Sequence, residues 1–464
     1  MKRQALLWLG AMIALACALA YGLFVNGLPA DQARIAALAM AAIMAWATGI
    51  IAEAITALAM FTIAMLAALA PPEIVFAGLA SSAFWLILSG LVIGAAIRHT
   101  GLGSRIAAVM ANRLRSRNGH ASWRASLTGI VLFGLGMAFL MPSAMGRIAL
   151  MLPILDALAT HLGYQRQSRG YHGLLLGGIF ATVLPSSAIL PANVPNNVLA
   201  GLSETILHLP LSYGDYLITH FPVLGLGRVI VLLVVLRLIY GDGGPRLADQ
   251  VAEILPPISA AEKRLSVLLL LSLLLWCSDS LHHLSPAWIG MAAAVICLLP
   301  SLELLPPRGL QTINLEPVFY VGGIISLGAM LAHAGLGQKL AEWCLHSLPL
   351  STGHPVANFV SLSALSTIVG ILTTLPGVPA VLTPLTETIA QSSGLPAATI
   401  LAAQVVGFST MLLPYQAPPL IMAAQAGNLP RSQFVRLCLW TALPCILLLW
   451  PLDMLWLRLL GILP

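Results

Sequence analysis

One arginine stands alone in a long apolar run. Residues 136–155 read GMAFLMPSAMGRIALMLPIL, and from Ala125 to Leu155 Arg147 carries the sole formal charge. Pro142 removes an amide donor and clashes with the preceding turn, while Gly146 loosens the chain beside the arginine. Three other stretches break an apolar run in the same way: LPSSAILPANVPNN (184–197), TLPGVP (374–379) and LLPYQAPP (412–419). Around the four breaks Arg147 is the one formally charged residue. The polar inventory is Ser143, Thr182, Ser186, Ser187, Asn193, Asn196, Asn197, Thr373, Thr374, Tyr415 and Gln416. A guanidinium fork can hold a carboxylate or sulfate with two hydrogen bonds. Helices that restart after a break expose amides carrying partial positive charge. Hydroxyls, amides, helix N-termini and one cation together suit an anion. A cation carrier or proton antiporter would show an acid at mid-membrane, and 126–155, 172–201 and 398–427 contain no Asp or Glu.

These residues sit in a frame that composition defines. Of 464 residues 59% are hydrophobic and 8% charged, with a net charge of +6. Soluble domains carry about a quarter charged residues. The chain therefore reads as an all-α polytopic membrane protein. Spans of roughly 20 apolar residues are predicted near 5–25, 33–49, 51–70, 79–97, 171–202, 215–239, 265–282, 287–304, 317–334, 397–427 and 437–459. The stretches 125–160 and 357–391 are each two short spans or a re-entrant hairpin. The loop 240–264 divides a first half, 1–239, from a second, 265–464. The basic residues lie mostly in loops and form no patch for nucleic acid. The six cysteines show no metal or redox spacing, and the basic N-terminus reads as a first span rather than a cleaved leader.

Charge also orients the chain. With the N-terminus in the cytoplasm, the cytoplasmic loops hold 17 of the 22 basic residues, and the other face receives only Arg34, Lys339 and Arg458. Arg147 and Arg228 remain inside the membrane. This asymmetry places the protein in the inner (plasma) membrane with its C-terminus on the opposite side.

The halves resemble each other. IGAAIRHTGLGSRIA (93–107) lies over LGAMLAHAGLGQKLA (327–341) at an offset of 234, with seven of fifteen positions identical. The same offset places Pro142 on Pro376, and with small deletions VLPSSA (183–188) falls on LLPYQA (412–417). The spans between give the copies opposite orientations, the plan of transporters whose substrate sits where broken helices of both copies meet. Arg147 then has two readings, a charge at the site or a cap on carbonyls of its own hairpin. His99 and His333 match across the repeat and read as helix-end residues. An intramembrane enzyme would need a catalytic motif such as HExxH, and none is present. A receptor would not need matched breaks.

The run 50–107, with Glu53-Ala54-Ile55 and the Gly-Leu…Arg-Ile-Ala ending, resembles the divalent anion:sodium symporter family, carriers of dicarboxylates, citrate and sulfate. The resemblance extends from about residue 30 to the C-terminus. It implies a homodimer in which a scaffold supports an elevator-like transport domain with two re-entrant hairpins and two unwound helices. It also implies a small anionic substrate and sodium near Ser143 and Thr374, with no other cofactor. The family's hairpin tips carry Ser-Asn-Thr, where this chain has Ser143-Ala144-Met145 and Gly377-Val378-Pro379. Arg147 stands where the pattern has threonine. The expectation is that its fixed charge replaces a bound sodium ion, making this member a sodium-independent exchanger or uniporter. A cation/proton antiporter of the same superfamily is the alternative.

Overall fold

A computed structural model describes residues 18, 22, 29–48, 51–106, 109, 123–141, 143–161, 164–166, 168–241, 256–282, 284–336 and 350–464. The predicted first span, most of the 240–264 linker, Pro142 and Lys339 lie outside them. The described residues are helical, with no strand among them. The first half contains α1 (Ala30–Thr48), α2 (Glu53–Leu66) and α3 (Ser82–Thr100). The hairpin α4 (Trp123–Leu140) and α5 (Ala144–His161) follows. Then come α6 (Arg169–Val183), α7 (Val194–Leu207) and the long α8 (Tyr213–Tyr240). The second half has α9 (Ala260–Cys277), α10 (Pro286–Leu298) and α11 (Glu316–His333). Its hairpin is α12 (Pro355–Leu372), α13 (Gly377–Leu382) and α14 (Thr386–Ser393). It ends with α15 (Ala397–Ser409), α16 (Pro418–Ala426) and the long α17 (Arg431–Leu459).

All four predicted breaks are present. The 125–160 stretch turns between Leu140 and Ala144, and the 357–391 stretch between Leu372 and Gly377. The predicted spans 171–202 and 397–427 are each two helices joined by non-α backbone. Prolines restart them: Pro195 lies in the first turn of α7 and Pro418 opens α16, positions where the missing amide is not needed. Some predicted spans are too long. The 51–70 segment stops at Leu66, with Ala68 at φ 50°, and the 287–304 segment stops at Leu298. Hydropathy continues through both ends although the helix does not.

Packing is reciprocal between the halves. Helix α2 packs on α11, while α10 packs on α3. Helix α7 meets α13 of the other half, while α16 meets α5. Swapped pairs of this kind are what a two-fold relation between two copies produces. The aligned glycines agree: α3 ends at Gly101 with φ 78°, and α11 ends at Gly335 with φ 67°. Both occupy the left-handed conformation that favours glycine at a helix end. His99 and His333 lie in the last turns of these helices.

Each hairpin is clamped to its broken helix through small residues, α4 on α6 and α12 on α15. A Cβ added at Gly407 of α15 would lie 2.8 Å from the Ser363 carbonyl oxygen and 3.0 Å from the Thr367 amide, both backbone. Gly407→Val should therefore separate α12 from α15 and cost about 1–3 kcal/mol, read as a lowered unfolding temperature in detergent. Gly136→Ala in α4, where nothing lies within 4 Å, should leave that temperature unchanged or slightly raised.

Candidate anion site

The four breaks meet. A cavity of about 150 Å³ is walled by Ser143, Ala144 and Met145 of the first hairpin tip and Leu375 and Pro376 of the second. Ser186, Ser187, Asn193 and Asn197 come from the first broken helix, and Ser409, Met411 and Gln416 from the second. Opposite them stand Glu53, Gly90 and Tyr320 from α2, α3 and α11. Helices α5, α7 and α16 all begin at this wall, so amides at their N-termini favour negative charge there.

Backbone freed at each break is satisfied locally. Asn193 caps α7, its side-chain oxygen accepting from the Asn196 amide at 3.0 Å. Asn196 is fully buried and donates to the carbonyls of Ser186 (3.0 Å) and Ile189 (2.8 Å). It stitches the break and does not line the cavity. Asn197 donates to the Asn193 carbonyl at 2.8 Å. Ser186 donates to the Val183 carbonyl, and Ser143 accepts from the Gly146 amide. In the second half, Gln416 accepts from the amides of Leu412 (2.8 Å) and Leu413 (2.7 Å). Its backbone carbonyl accepts from the Leu375 amide, joining the second tip to the second break.

Four further residues expected at the site lie elsewhere. Thr373, Thr374 and Gly377 lie beside a separate space of about 20 Å³, shared with Trp46 and Tyr320. Thr373 donates to the Val369 carbonyl, and Thr374 is hydrogen-bonded to Tyr320. Tyr415 points away from the cavity, is 43% exposed, and donates to the Ile371 carbonyl. A lone proline-flanked tyrosine has no periodicity that would have shown its direction.

Arg147 is the largest correction. It is 0% exposed and is not among the cavity-lining residues. Its guanidinium donates to the carbonyls of Met141, Thr182 (2.8 Å) and Ala192 (3.0 Å). A single cation thus ties the first hairpin tip to both sides of the first break. Three charge-assisted bonds offset the desolvation of a buried charge.

The cation that does face the cavity is Arg228, 1% exposed, from the middle of α8. It donates to the Ser187 hydroxyl at 3.1 Å and the Ser409 hydroxyl at 2.5 Å, bridging the two broken helices. Its sequence signal was available, since an arginine inside an apolar span is itself a functional candidate. It lies outside the repeat-matched breaks, which is why reasoning from them passed over it. Two acids were missed for the same reason: Glu53 at the cavity wall, and Asp453, fully buried in α17 with Arg228 as its charge partner.

Comparison with known proteins agrees with this architecture. The model of the sodium:sulfate symporter transmembrane region matches residues 4–463. The chain belongs to this family. It is 24% identical over 399 residues to the L-tartrate/succinate antiporter of Escherichia coli (strain K12), covering 82% of this chain and 79% of that protein. It is 26% identical over 296 residues to a membrane protein of Cupriavidus necator, covering 62% of this chain and 56% of that protein. The YdaH transporter of Alcanivorax borkumensis superposes with a TM-score of 0.59 at 15% identity, over 85% of this chain and 89% of the other, which shows a shared fold. This member of the sodium:sulfate symporter family is thus an integral membrane anion transporter.

Arg228 is the one cation among the residues that line the cavity. Arg228→Gln removes the cation while keeping a hydrogen-bonding amide. It should weaken binding of sulfate, followed by calorimetry on purified protein, by roughly 30-fold or more. An unchanged affinity would remove Arg228 from the site.

Proposed function

We propose that this chain is an elevator-type secondary transporter that exchanges small carboxylate- or sulfate-like anions without sodium. The observation that carries the reading is the convergence of four backbone breaks, two from each half, on one cavity that Arg228 faces. A cavity of about 150 Å³ is the size that accommodates benzene, which suits sulfate or a four-carbon dicarboxylate. The named relatives make succinate and L-tartrate the first probes. In this reading the substrate lies on the guanidinium of Arg228, among the hydroxyls of Ser186, Ser187 and Ser409 and the N-termini of α5, α7 and α16.

The hairpins and broken helices, α4–α7 and α12–α16, form the moving body in this proposal. Helices α1–α3 and α9–α11 form the scaffold, with a homodimer joined through it. Because Glu53, Gly90 and Tyr320 come from the scaffold side, sliding would exchange that part of the wall while the substrate stays on the hairpin side. The reciprocal packing of the two halves supports an inverted repeat. With the N-terminus cytoplasmic and the C-terminus on the other face, the cavity would open alternately to either side.

Arg147 supports sodium independence. Its cation is covalently attached and lies among three carbonyls, so the first tip is held together without a soluble ion. Proteoliposomes loaded with succinate should take up labelled succinate, L-tartrate or sulfate at the same rate with sodium or with choline outside. Arg147→Ala leaves three carbonyls without their donor, at about 1–3 kcal/mol each when buried, and should lower both thermal stability and exchange. A strict sodium-gradient dependence that Arg147→Ala leaves unchanged would sink this reading.

A further inference from the structure

The last long helix of each half departs from α-helical winding at one place. Residues Phe221–Gly227 of α8 form a π-helical segment, and so do Cys445–Leu449 of α17. Such segments inside α-helices are frequent at functional sites. Arg228 directly follows the first, and Asp453 stands one turn beyond the second. Asp453 is 0% exposed, and neither carboxylate oxygen has a hydrogen-bond partner among the described residues. The stretch of α17 that carries it, Trp450–Leu459, packs against the π segment Phe221–Gly227 of α8, which Arg228 directly follows, so the guanidinium is the cation whose field reaches the carboxylate.

Few other ionisable groups are nearby. Helix α8 contributes Tyr216, His220 and Arg228, and the π segment of α17 contributes Cys445; the first two and the cysteine interact with Arg228. Tyr216 and His220 stack edge-on with ring centres 4.5 Å apart. Asp215 on α8 and Arg458 on α17 are exposed.

A buried carboxylate and guanidinium together are neutral, whereas either alone is costly in low dielectric. An anion that takes the guanidinium leaves one cation facing two anions. A proton on the carboxylate restores the balance. We propose that Asp453 is the proton-coupling residue of this carrier, taking up one proton as an anion binds Arg228 and releasing it as the anion leaves. One O–H bond forms on the carboxylate with a proton from bulk water, and nothing is oxidised or reduced. The proton cancels one negative charge brought by the bound anion and so lowers the electrostatic cost of moving the loaded carrier. The inference rests on the anion-carrier reading above.

Calorimetric titration of purified protein with succinate or L-tartrate, in two buffers of different ionisation enthalpy at one pH, measures the protons taken up. The wild type should take up about one proton per anion, with affinity falling up to roughly tenfold per pH unit as pH rises. Asp453→Asn should bind the anion with no uptake and a flat pH dependence, while His220→Gln keeps the uptake. Anion binding by the wild type without proton uptake overturns the inference and leaves the carrier reading intact. That result needs no variant to fold. Uptake that persists in Asp453→Asn overturns it as well. If succinate, L-tartrate and sulfate all fail to bind, the carrier reading falls and this inference falls with it.

Discussion

A backbone group buried away from water must find a partner, and this chain interrupts its helices four times inside an apolar body. The rest of the structure follows from how those interruptions are satisfied. Each break frees amides and carbonyls that lipid cannot bind, so irregular backbone persists only where protein or a wet cavity receives it. Arg147 closes three carbonyls of the first tip and break. Asn196 closes two more, and Gln416 closes the amides of Leu412 and Leu413 in the second break. With those needs met locally, the remaining hydroxyls and helix N-termini are left to face the cavity.

The two halves solve this with different chemistry. The first hairpin is fastened by a charge and the second by neutral contacts, among them Leu375 on the Gln416 carbonyl and Tyr415 on the Ile371 carbonyl. A repeat-related pair of hairpins can therefore share a shape without sharing an ion. The long helices α8 and α17 show a similar asymmetry. Both contain a π-helical segment, yet one presents Arg228 and the other Asp453. The two matched elements thus carry opposite charges, and the cation of the pair faces the cavity.

Much of this was legible in advance. Proline pairs and the matched GLG blocks marked the breaks and the repeat, because the covalent constraints of proline and glycine act wherever those residues lie. The direction of a side chain was not legible. Arg147 and Arg228 look equally anomalous in an apolar run, yet one is buried among carbonyls and the other lines the cavity. Asn196 and Asn197 are adjacent, and only Asn197 reaches the wall. Thr373 and Thr374 lie beside a smaller space, shared with Trp46 and Tyr320.

The sequence alone determined that the chain is a helical membrane protein, where its helices break, and that its two halves resemble each other, since hydropathy, proline and self-similarity are properties of the chain itself. Tertiary structure decided which cation lines the cavity and which serves the backbone. That choice depends on which carbonyls and hydroxyls other helices bring within about 3 Å, the reach of a hydrogen bond, and those helices lie dozens to hundreds of residues away.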